Sequence, residues 1–192
     1  MKKRIFIVHG WEGHPEEGWF PWLKKELEAK GFEVHVPSMP HPDTPTIGDW
    51  VAHLAKVVGE SDERTYLVGH SIGCQTVIRY LESIDTKIGG ALLVAGWLLR
   101  LTGDLSAEEI EIVRPWIETP INYSKVKENC PAITCVFSDN DPFVALEKNK
   151  EAFIERLGAH VVVEHAKGHL NGEANVTELP SARDALLKIA GE

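Results

Sequence analysis

Short apolar runs rich in β-branched residues alternate with longer amphipathic stretches over the whole chain, and this alternation most constrains how it can fold. Strand-like runs fall at residues 4–8 (RIFIV), 32–36, 65–68, 88–95 (IGGALLVA), 133–137 and 160–164. Residues 19–30 set Trp19, Trp22, Leu23 and Leu27 at helical spacing, with Gly31 as a stop. Residues 47–58 do the same with Trp50, Val51, Leu54 and Val58, and further helices are predicted at 72–81, 144–157 and 180–189. The nearly unbroken apolar run at 88–95 suits a strand buried on both faces. Six strands separated by helices predict an α/β fold: a doubly wound, six-stranded parallel sheet with helices on both faces. There is no internal repeat or low-complexity linker, and residues 1–192 suit a single domain.

One connection breaks the rhythm. Residues 96–130, after the fourth strand, are too many for an ordinary loop and read as a small cap-like insertion. Ser106 as N-cap with Glu109 three residues on predicts a helix start. The acids that follow suit a solvated helix face. If the insertion instead covers a site, Trp97, Leu98, Leu99 and Trp116 are candidates for its apolar wall.

In parallel sheets, ligands bind beyond the carboxyl ends of the strands, so the residues just after each strand matter most. They are His9-Gly10-Trp11 after the first, Gly69-His70-Ser71-Ile72-Gly73 at the third, Ser138-Asp139-Asn140-Asp141-Pro142 after the fifth, and Lys167-Gly168-His169 beyond the sixth. Serine, acid and histidine occur in the chain order of hydrolases that carry G-x-S-x-G on a strand-to-helix turn. There Ser71 is the candidate nucleophile, and Gly69 and Gly73 give clearance where a Cβ would collide with strand or helix. The N–H of Ile72 and the N–H of Trp11 are the candidate oxyanion donors. Of the three histidines after the acid loop, His160 and His165 bound the last strand. His169 lies in a loop that can swing to Ser71, and is the candidate base. His70 is too near the serine in sequence for that role and is expected to pack or hydrogen-bond.

The acid is less sharply defined. Asp141 precedes Pro142-Phe143-Val144, which favours a buried partner for the histidine, whereas Asp139 suits a turn; on pattern alone both stay open. His165 and His169 stand four apart, as zinc ligands on a helix would. Gly168 lies between them and no Glu follows His165, so no metal is expected.

Charge and cysteine content narrow the partners. A net charge of −9, with no basic run longer than Lys2-Lys3-Arg4, excludes nucleic acid and anionic membrane as expected partners and favours small soluble molecules. Three cysteines without C-x-x-C spacing read as reduced thiols in a cytoplasmic protein. The apolar run at the start ends at Val8, too short for a signal peptide. No stretch reaches the roughly 20 apolar residues that span a bilayer. No cofactor is implied, and the oligomeric state is not legible.

The segments IVHGWEGHPEEGWFPWLKKEL, LVGHSIGCQTVIRYLE, RPWIETPINYSKVKENCPAI, SDNDPF and KGH together resemble the small single-domain α/β-hydrolases related to the retinoblastoma-binding serine hydrolase and its bacterial relatives. The resemblance implies strand order 2-1-3-4-5-6 and a triad of Ser71, Asp141 and His169, raising Asp141 over Asp139. It implies a serine hydrolase acting on esters or small amides. The expected activity is of the carboxylesterase type on small esters through an acyl-enzyme, with amide and thioester substrates left open. The insertion after strand four is small and forms no large lid, which argues against long-chain lipids. The peptide L-x-C-x-E, which carries the binding property of the mammalian relative, does not occur here. The alternative expectation is a protein-binding or regulatory module with a vestigial site.

Overall fold

A computed structural model describes residues 2–192. Six strands, β1 (Arg4–Val8), β2 (Glu33–His35), β3 (Thr65–His70), β4 (Gly90–Val94), β5 (Ile133–Ser138) and β6 (His160–Glu164), form one sheet in the order β2-β1-β3-β4-β5-β6. Every pairing is parallel. Seven helices connect and cover it: α1 (Phe20–Glu28), α2 (Ile47–Val58), α3 (Ile72–Ser83), α4 (Ala107–Glu118), α5 (Tyr123–Asn129), α6 (Leu146–Leu157) and α7 (Pro180–Ala190). The expected α/β sheet and its strand order are therefore present.

Side chains alternate across a strand, so each central strand feeds two cores. From β1, Phe6 and Val8 join Trp50 and Leu54 of α2, Val77 and Leu81 of α3, and Phe153 of α6. Ile5 and Ile7 join Phe20, Leu23 and Leu27 of α1 and Leu186 of α7 on the other face. Each fully buried aliphatic or aromatic side chain contributes about 1.5–3 kcal/mol, so both faces of the sheet hold helices against them.

Helix ends follow local chemistry. The Thr46 side chain accepts from the Asp49 N–H at the start of α2. Ser106 and Glu109 close the predicted capping box at the start of α4. Gly158 ends α6 at φ +66°, where a side chain would be strained. The short α5 was not expected from the pattern. Only Val126 and Asn129 of its seven residues are buried, too few to register as a helical stripe, and Asn122 starts it by accepting from the Lys125 N–H.

The pocket-wall expectation is corrected. Trp97, Leu98 and Trp116 are 1%, 6% and 1% exposed and belong to the core, not to the surface beside Ser71. The Trp116 indole N–H donates to the Pro45 carbonyl, and its ring stands edge-on to Trp50 at 6.2 Å. Large apolar side chains leaving a buried strand end fill core volume before they line a cleft. Farther along the same connection, Leu101 and Leu105 do reach the cleft.

Candidate active site

β3 ends at His70 and α3 begins at Ile72, leaving Ser71 at the corner with φ +54° and ψ −122°. That backbone conformation is costly for a residue with a Cβ, by about 1–3 kcal/mol, and persists only where the surroundings enforce it. The flanking glycines do so by close approach, not by unusual φ. A Cβ on Gly69 would lie 2.7 Å from the Cys74 backbone, and one on Gly73 would lie 2.4 Å from the Val8 carbonyl oxygen. Gly73→Ala is accordingly expected to destabilise the fold by about 1–3 kcal/mol, read as a lower urea midpoint. Gly48→Ala in α2, with nothing within 4 Å of its Cβ, is the control. It should stabilise by about 0.5–1 kcal/mol.

The structure brings Ser71, His169 and Asp141 into one hydrogen-bonded line. Asp141 Oδ2 stands 2.8 Å from His169 Nδ1, and His169 Nε2 stands 2.9 Å from Ser71 Oγ. A carboxylate accepts, so Nδ1–H donates to it, leaving Nε2 free to accept from the serine hydroxyl. The Asp141 and His169 side chains are 2% and 11% exposed. Asp141 Oδ1 is occupied separately by the N–H groups of Phe143 and Val144, at 2.9 and 3.1 Å.

Asp139 has other work. It accepts from the Ala166 N–H and from His165, whose side chain is 90% exposed. These hydrogen bonds, the Ala166 N–H foremost, hold its carboxyl below the usual range. Sequence reasoning missed the rest of this turn. Ser138 Oγ accepts from the Lys167 N–H, and Asn140 Oδ1 accepts from both the Ser138 hydroxyl and the Gly168 N–H. Ser138, Asp139 and Asn140 thus fasten successive backbone groups of the His169 loop while Asp141 takes the ring. A run of four polar residues directly after a buried strand was the available signal.

On the other side of Ser71, a Cβ on Gly10 would lie 3.3 Å from the Ser71 Cβ, so the loop after β1 abuts the serine. The Gly10 carbonyl accepts from His9 Nδ1 at 2.8 Å and from the Gly13 N–H at 3.2 Å. The His9 tautomer is set because the Met39 N–H donates to Nε2. His9 is fully buried, and that burial lowers its affinity for a second proton. The N–H of Trp11 lies on the opposite edge of the same planar peptide from that carbonyl. The Trp11 indole N–H donates to the Asp43 carbonyl, anchoring the ring. Ile72 opens α3, so its N–H has no intrahelical acceptor.

Gly10, Trp11, Ser71 and His169 line a cleft of about 560 Å³. Its apolar wall comes from Trp11, Leu101, Leu105 and Phe143; Glu12, Glu16, Glu17, Glu109 and Glu173 also line it, and no Lys or Arg does. Burial chiefly raises the Glu17 carboxyl above the usual range, and nearby His14 and His169 oppose that shift. A cleft of about 750 Å³ beside Lys24, His35 and His53 contains neither Ser71 nor His169. All three cysteines are free and buried, and burial pushes their thiols upward. Among the described residues no group of three His, Cys, Asp or Glu side chains could hold a metal ion, and no helix is long and apolar enough to cross a membrane.

The profile of the family described as Serine hydrolase matches residues 5–188. The Bacillus subtilis protein YdeN is 30% identical over 188 residues, covering 97% of this chain and 95% of that one. The rat serine hydrolase RBBP9 is 31% identical over 153 residues, 79% of this chain and 77% of its own length. The crystal structure of the Bacillus subtilis YdeN product covers all of both chains with a TM-score of 0.90 at 27% identity. Est1E of Butyrivibrio proteoclasticus, solved with ferulic acid bound, shares the fold with a TM-score of 0.74 at 16% identity, covering 98% of this chain and 90% of its own.

Proposed function

Because the chain belongs to the serine hydrolase family, we propose that it is a carboxylesterase-type enzyme cleaving small acyl esters through an acyl-enzyme on Ser71. His169 Nε2 takes the Ser71 proton as Oγ attacks the acyl carbon, then returns it to the leaving oxygen. A water activated by the same nitrogen releases the acid. Asp141 holds the ring in the productive tautomer and stabilises the imidazolium. The N–H groups of Ile72 and Trp11 receive the oxyanion, and each such donor is typically worth about 10²–10³ in turnover. The observation that carries this reading is the continuous line from Asp141 through His169 to Ser71 at the carboxyl ends of the strands.

A fluorophosphonate probe tests it. Labelling confined to Ser71, together with hydrolysis of p-nitrophenyl acetate, supports the enzyme. A protein that neither labels nor hydrolyses would be a module with a vestigial site.

The charge of the cleft points to the substrate class. Five carboxylates and no fixed cation favour neutral or cationic esters over anionic ones. A phenyl acetate bearing a trimethylammonium group is expected to exceed its carboxylate counterpart in kcat/KM by about 10-fold or more at low salt, each rate being divided by that ester's alkaline hydrolysis rate. The ratio should shrink as ionic strength screens the cleft. Equal values at low salt would remove charge as a selector.

A further inference from the structure

His70 directly precedes Ser71 and closes β3. Its ring is 3% exposed and packs against Trp19, Phe20 and His169, with ring centroids 6.2, 6.0 and 5.1 Å away. Nε2 lies 2.9 Å from the backbone carbonyl oxygen of His169. A carbonyl only accepts, so Nε2 carries the hydrogen and donates. Nδ1 is then a bare acceptor. It has no hydrogen-bond partner among the described residues and sits against Gly10, where an added Cβ would lie 3.0 Å from it. A buried unsatisfied acceptor is destabilising, and an apolar ring of similar size would avoid that loss. What the imidazole offers in return is its one hydrogen bond, and that bond goes to the backbone of His169.

The His169 loop needs such restraint. Ala166, Gly168 and Leu170 take φ of +54°, +55° and +53°, a region that residues with a Cβ rarely occupy. Conformations of this kind last only where neighbours over-determine them. Asn140 accepts from the Gly168 N–H, and the Trp19 indole N–H donates to the Leu170 carbonyl at 2.8 Å. Between these two ties, His70 holds the carbonyl of His169 itself.

We propose that His70 is a positioning residue: by holding the His169 carbonyl with an uncharged donor, it sets the reach of the His169 ring to Ser71. This rests on the reading of Ser71 and His169 given above. Charge explains why the donor is an imidazole. A lysine or arginine could hold the same carbonyl, but its fixed positive charge beside His169 would oppose the imidazolium formed in each turnover. Burial, with the nearby His169 contributing, keeps the His70 imidazole down at about 3, so it stays neutral while His169 gains and loses its proton.

Two variants separate positioning from packing. His70→Phe keeps an aromatic ring against Trp19 and Phe20 and removes the donor; His70→Gln supplies a neutral N–H donor on a flexible side chain. Active sites are counted by fluorophosphonate titration, and kcat is expressed per titrated site. His70→Phe is expected to lower that kcat about 10- to 100-fold with KM within about twofold, and to slow labelling in parallel. His70→Gln should recover most of the loss. A purely structural role would reduce the number of titrated sites and leave the rate per site intact. Wild-type turnover per site in His70→Phe, or no recovery in His70→Gln, overturns the assignment. If the wild-type protein itself neither labels at Ser71 nor hydrolyses ester, the reading of the site fails and this inference falls with it.

Discussion

Ser71→Ala is expected to lower kcat/KM for p-nitrophenyl acetate by about 10⁴- to 10⁶-fold and to abolish fluorophosphonate labelling. The size follows from what is removed. Oγ is the atom His169 Nε2 addresses at 2.9 Å, and without it the line from Asp141 ends on nothing that can attack. The residual rate comes from the oxyanion donors and from binding, which survive the change. The fold should survive too. Alanine keeps the Cβ and meets the same positive φ that serine already accepts, so the backbone strain at the corner is unchanged. The thermal midpoint is therefore expected within a few degrees of wild type, which separates lost chemistry from lost structure. A direct mechanism, in which His169 activates water without an acyl-enzyme, predicts a different result: Ser71→Ala would keep most of its turnover. Activity within 10-fold of wild type would select that mechanism and end the nucleophile assignment.

How far the chain could be read depended on whether a feature's cause is local. β1, α2 and β6 lie where the pattern puts them because β1 and β6 are unbroken apolar runs and α2 repeats its apolar residues at helical spacing, each with a polar or glycine boundary. β3 runs two residues past its apolar stretch, since Gly69 and His70 remain in the ladder opposite Leu93 and Val94. Their lack of aliphatic character hid this. The meeting of Ser71 and His169 was legible from a serine on a glycine-flanked turn and a histidine set past Gly168 in the loop beyond the last strand.

Other features depend on distant contacts. Trp97, Leu98 and Trp116 have the composition of a pocket wall, and only three-dimensional packing assigns them to the core. His9 and His70 look like unremarkable histidines at strand ends. Their importance comes from the Met39 N–H and the His169 carbonyl, 30 and 99 residues away in sequence.

The choice between Asp139 and Asp141 turns on the same kind of contact, and it makes the second large prediction. Asp141→Asn is expected to lower kcat by about 10³- to 10⁴-fold, more than the loss of one hydrogen bond would suggest. The Phe143 and Val144 N–H groups both donate to Oδ1, so the oxygen of an asparagine must take that position. Its NH₂ then occupies the place of Oδ2, 2.8 Å from His169 Nδ1. An amide NH₂ only donates, so Nδ1 must become the acceptor and the ring hydrogen moves to Nε2. That hydrogen points at Ser71 Oγ, and the histidine can no longer take the serine proton. Asp139→Asn meets no such constraint. Its side-chain partner His165 is exposed to solvent and lies outside the Ser71 line, so turnover is expected within about threefold of wild type. Steady-state kinetics on the two variants decide the matter. A large loss in Asp139→Asn with Asp141→Asn nearly intact would assign the orienting acid to Asp139 and overturn the tautomer argument.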